Sequence, residues 1–128
     1  MTGNKYQNYA MRTNDGGSTG RLWDKLTAVE DCGGEIDLGG VFNACLGLAG
    51  EVGEMNDMIK KWVFHEKDLD NTHLKKELGD VMWYVAMMCQ SMDWKLDDIL
   101  QMNVDKLKAR YPEGFDVIKA NNRKEGDI

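Results

Sequence analysis

The chain has 128 residues and a net charge of −6 from 16 basic and 22 acidic side chains, with 42% hydrophobic and 30% charged residues. That balance belongs to a folded soluble protein and excludes wholesale disorder, while the acidity excludes generic nucleic-acid binding, which needs a basic footprint. The longest apolar run, Val81–Cys89, is about half of what a bilayer span needs, so no membrane partner is expected.

The opening MTGNKYQNYA is polar and carries no apolar signal core. Residues 5–13 read as a short helix with Tyr6, Ala10 and Met11 on one side. NDGGSTG follows as a flexible stretch, and 21–31 as a second short helix with Leu22, Leu26 and Val29 inward. Eight of the 14 glycines precede residue 41, so 14–40 is the least regular part. Cys32, Cys45 and Cys89 are widely spaced and form no CxxC, which fits free thiols in a reducing cytoplasm.

From residue 41 the pattern changes. Val41, Cys45, Leu48, Val52, Met55, Ile59 and Trp62 alternate steps of four and three, the signature of a long helix over 41–65 with one apolar seam. HEKDLDN interrupts it, and Asn71 or Thr72 is the expected N-cap of the next helix. That helix, 72–91, carries the seam Leu74, Leu78, Val81, Val85, Met88 and Met92, and Ser91–Trp94 reads as a turn. A third helix spans 96–110, with Asp97 and Asp98 at its positive end, and Tyr111-Pro112-Glu113-Gly114 stops it. The tail 116–128 is expected to be loose. The fold class is all-α in a single domain 1–128, with its core at 41–115. Val63, Met82, Trp83 and Met87 lie off the main seams. The antiparallel hairpin is therefore expected to extend to a four-helix-type bundle completed by oligomerisation, as a homodimer or homotetramer.

Glu51 and Glu54 stand three apart on the first long helix, and Glu77 and Asp80 three apart on the second. At about 100° per residue each pair falls about 90–100° behind its own seam, in the same rotational sense. Two helices packed seam to seam bring such offsets to one flank, so four carboxylates line one side of the hairpin. Counted from the connecting loop, Glu51 and Glu54 lie about 7 Å further along than Glu77 and Asp80. Four like charges on one flank call for a cation. With only His65 and His73 in the chain and no Glu-x-x-His pair, magnesium, or manganese in its place, suits them better than zinc or a di-iron centre. Gly47, Gly50, Gly53 and Gly79 each cost about 1 kcal/mol in a helix interior, which implies a close approach to the backbone there. Lys61 projects on the carboxylate side of its helix. Trp62, Trp83 and Tyr84 read as core or subunit contacts, the methionines as core filling, and His65 as a helix-end residue.

Leu46–Lys61 (LGLAGEVGEMNDMIKK), Lys75–Ala86 (KKELGDVMWYVA) and Asn103–Phe115 (NVDKLKARYPEGF) resemble the MazG-like all-α nucleoside triphosphate pyrophosphohydrolases. The resemblance covers 41–115 well and 5–13 weakly, and departs at the glycine-rich 14–40, so no base preference carries over. It implies hydrolysis of the α–β bond of a nucleoside triphosphate to a monophosphate and pyrophosphate. Glu51, Glu54, Glu77 and Asp80 would be magnesium ligands, with Glu54 also the catalytic proton acceptor. Asn103, Lys106 and Arg110, which share one face of the last helix, and Tyr111 would contact the phosphates or the metal site, with Lys61 a further candidate. By the residues alone, Asn103 also fits a buried register-setting polar position, and Lys106 and Arg110 fit plain surface charges. Phosphoribosyl-ATP pyrophosphohydrolase and a non-catalytic helical oligomerisation or partner-binding module are the alternative functions.

Overall fold

The computed structural model describes residues 1–27, 35–123 and 126, and these are all-helical, with no strand among them. The helices are α1 (Gly3–Ala10), continued by a 3-10 turn at Met11–Thr13, α2 (Ser18–Thr27), α3 (Leu38–Phe64), α4 (Asn71–Ser91), α5 (Leu96–Arg110) and α6 (Val117–Asn121). None of the helices in this set is long and apolar enough to cross a membrane.

Capping explains where the bounds differ from the sequence expectation. Asp37 accepts from Gly40 N–H at 3.0 Å, so α3 starts at Leu38. Asp70 accepts from His73 N–H at 2.9 Å, so the cap of α4 is Asp70 and not Asn71 or Thr72. Ser91 stays helical, and the turn follows at Met92 and Asp93, where Asp93 takes φ +55°. Asp116 accepts from Ile118 and Lys119 N–H and builds the short α6 in a tail expected to be loose. α2 begins at Ser18, and Leu22 and Leu26 are exposed rather than inward. Val29, Cys32 and the end of the expected 21–31 helix lie outside the described residues. At the end of α3 the cap is His65; Glu66 takes φ +52°, and Lys67 N–H donates to Lys61 C=O, a left-handed stop that satisfies an orphan carbonyl.

Among the described residues α3 and α4 pack along their length, and α5 makes no extended contact with them. Their contact face keeps the expected seam of α4 except Leu78, but only part of that of α3. On α3 the less exposed positions are Leu38, Gly40, Val41, Ala44, Gly47, Leu48, Glu51, Met55, Met58 and Lys61, and on α4 they are Leu74, Glu77, Val81, Tyr84, Val85, Met87, Met88, Cys89 and Ser91. Relative to expectation α3 is rotated toward its carboxylates, and α4 only slightly. Cys45, Val52, Ile59, Trp62 and Leu78, expected inside, are exposed in the single chain, as are Met82 and Trp83. The physical reason is close approach. Gly40 lies against Ser91, and a Cβ on Gly47 would run into the Tyr84 ring, so small residues let the backbones meet where larger seam residues would hold them apart. The wider apolar faces are left open. Asn103 is exposed on α5, so within one chain it is not a buried register-setting residue.

Candidate active site

The contacts of Gly40 with Ser91 and of Gly47 with Tyr84 set an antiparallel register. Carried one turn further, it places Glu51 opposite Asp80 and Glu54 opposite Glu77. Lys67 N–H donates to Lys61 C=O, and residues 67–70 line the same cavity as Asp57 and Met58, so the non-helical 65–70 connection runs back beside the end of α3 and absorbs the axial offset. Glu77 is therefore buried and Glu51 half-buried in the helix–helix contact, while Glu54 and Asp80 stay exposed at its edge. Glu51, Glu77 and Asp80 each offer a carboxylate oxygen within 4.8 Å of the others. Glu54 stands beside this triad, within hydrogen-bonding reach of Glu77.

Glu77 is only 6% exposed. His73, one turn earlier on α4, places Nε2 2.6 Å from Glu77 Oε1. The other oxygen, Oε2, is buried without a donor. The carboxyls that approach Glu77 are those of Glu51 and Glu54, and these can donate only while protonated. Burial pushes the Glu77 carboxyl up, but the His73 bond and then those with Glu54 and Glu51 outweigh it and hold the group below its ordinary value. Glu51 is pushed up by burial first, then by the neighbouring carboxylates. Glu54 is pushed up by its bond and repulsion with Glu77, then by burial. A buried carboxylate oxygen with no donor among like charges is what a hard, oxygen-seeking cation would satisfy, and the all-oxygen donor set fits magnesium.

These shifts predict how the metal-free protein responds to pH. Between the ordinary glutamate value of 4.5 and the raised values of Glu51 and Glu54, the native state holds more protons than the unfolded chain. Stability should fall as pH rises through that window. Glu77, shifted the other way, contributes stability that is lost only as pH falls below the ordinary value. Thermal melts in chelator across pH should show the fall, and Glu51→Gln should flatten it.

A cavity of about 540 Å³ opens beside the triad, lined by Gly50, Gly53, Glu54 and Lys61 of α3, Lys67 of the connection, and His73 and Glu77 of α4. Gly50, Gly53 and Gly79 have open space where a side chain would start, unlike Gly47, so of the four helix glycines only Gly47 is in close contact. Lys61 Nζ is held 2.5 Å from Asp57 Oδ2, and lowers the Asp57 carboxyl. The other expected phosphate contacts, Asn103, Lys106, Arg110 and Tyr111, lie on or just after α5, away from this cavity; the Arg110 guanidinium lies 6.0 Å over the Tyr111 ring. Lys67 and His73 are cavity residues that the sequence reading does not single out. Lys67 carried no periodic signal, but His73 stands four residues before Glu77, a spacing that puts both on one helix face.

Residues 40–115 match the family model of the MazG nucleotide pyrophosphohydrolase domain. The chain is 35% identical to the gene 37 protein of Mycobacterium phage L5, over 76% of this chain and 90% of that protein. No solved structure matches.

Proposed function

This chain belongs to the MazG nucleotide pyrophosphohydrolase family, and from that premise we propose that it hydrolyses the α–β bond of a nucleoside triphosphate, ribo or deoxyribo, to a monophosphate and pyrophosphate. The observation that carries the reading is Glu77, a buried carboxylate with one oxygen unpartnered among the carboxyls of Glu51, Glu54 and Asp80. Glu51, Glu77 and Asp80 would hold magnesium or manganese. When bound, the ion supplies positive charge against the triphosphate and acidifies water within its reach. Glu54, outside the triad, would take a proton from attacking water. Lys61 and Lys67 on the cavity wall offset phosphate charge.

The exposed seams of α3 and α4 and the unpacked α5 are covered by further copies of the chain in this reading. Asn103, Lys106, Arg110 and Tyr111 then join the substrate contacts when α5 packs in the oligomer. Light scattering at micromolar concentration should give a dimer or tetramer, and a monomer would contradict the assembly. The activity itself is tested by a panel of ribo- and deoxyribonucleoside triphosphates and phosphoribosyl-ATP with magnesium. Pyrophosphate release from at least one nucleoside triphosphate is expected. Turnover of phosphoribosyl-ATP alone, or of nothing, would overturn the reading.

A further inference from the structure

We infer that His73 is a positioning residue that fixes which oxygen of Glu77 is offered to the metal. The inference rests on the proposed metal site. Its geometry starts at the cap: Asp70 Oδ1 accepts from His73 N–H at 2.9 Å, so the first turn of α4 holds the His73 backbone in place. One turn on, Nε2 of the ring stands 2.6 Å from Glu77 Oε1, a charge-assisted bond at the short end of the range. Glu77 is an ionised acceptor there, so Nε2 carries the hydrogen and donates. With Oε1 held by His73, the carboxylate is fixed in rotation, and the unpartnered, buried Oε2 is the oxygen left open to an ion. Without His73, Glu77 could rotate about its last torsion, and the site would lose the orientation that makes its three oxygens converge. Partners of this kind behind a ligand typically change metal affinity or activity by about 10–100-fold.

His73 is itself half-exposed at the cavity mouth; its bond also satisfies a buried carboxylate, so positioning is separated from stability by reading metal binding on variants that remain folded. The test is a manganese titration followed by electron paramagnetic resonance on wild type, His73→Ala, His73→Gln and Glu77→Gln, with circular-dichroism melts of each. Glutamine places an amide N–H near the position of the imidazole Nε2. Expected are binding weakened roughly 10–100-fold in His73→Ala, most of that loss recovered in His73→Gln, and a helical circular-dichroism signal retained at the titration temperature in both, with a lower melt in His73→Ala. If His73→Ala binds manganese as tightly as wild type while Glu77→Gln does not, His73 has no positioning role and the metal site stands. Equal losses in the alanine and glutamine variants would equally overturn the role of the N–H donor. If Glu77→Gln also binds like wild type, the metal site and the inference fall together.

Discussion

Glu77→Gln should abolish measurable magnesium binding and lower turnover by at least about 100-fold, a loss at or beyond the upper end of that seen when only a ligand's supporting partner is removed. Glutamine keeps the length and one carbonyl oxygen of the side chain, so His73 can still donate to it. What is lost is the negative charge at the buried centre of the cluster. In its place the amide brings N–H donors next to Glu51 and Glu54, whose carboxyls approach this position. The metal-free variant should therefore melt no lower than wild type. Calorimetric magnesium titration, steady-state pyrophosphate release and a thermal melt together separate this outcome from a folding defect. A variant that binds magnesium and turns over normally would place the ion elsewhere.

Gly47→Ala should destabilise the hairpin even though alanine is the better helix former by about 1 kcal/mol. The added methyl meets the Tyr84 ring, which is held edge-on to Trp83 with ring centroids 5.0 Å apart and cannot swing aside freely. Overpacking of this kind costs about 1–3 kcal/mol. Gly53→Ala is the control: nothing lies within 4 Å of its added methyl, so it should gain the helix propensity and raise the melting temperature by a few degrees. If the clash is the cause, Gly47→Ala combined with Tyr84→Ala should lose less stability than the two single changes summed. Denaturant unfolding of the four proteins gives the cycle. A Gly47→Ala variant as stable as wild type would mean that α3 and α4 do not meet at this point.

The lengths of α3, α4 and α5 were legible because their apolar residues recur at steps of three and four over many turns. Which face meets which neighbour was not. Periodicity marks the most apolar face, and α4 keeps most of it inward, but α3 and α4 also meet through Ala44, Gly47, Glu51, Glu77 and Tyr84, because small residues allow the closer approach. The rotation of α3 buried Glu77 and half-buried Glu51, while Glu54 and Asp80 stay exposed. It also gave Glu77 a donorless oxygen that no spacing argument could anticipate. The pairing of the two E-x-x-E/D segments was readable from their common offset, whereas their axial alignment depended on the path of residues 65–70. His73 was counted only against a zinc site, although its distance in sequence from Glu77 already placed it on the same helix face.

Hydrolysis of the preferred triphosphate in ¹⁸O-labelled water distinguishes attack at the α-phosphorus from attack at the β- or γ-phosphorus. Attack at the α-phosphorus puts one labelled oxygen in the nucleoside monophosphate and none in the pyrophosphate. Label in pyrophosphate, or release of labelled inorganic phosphate from the γ position, would contradict it.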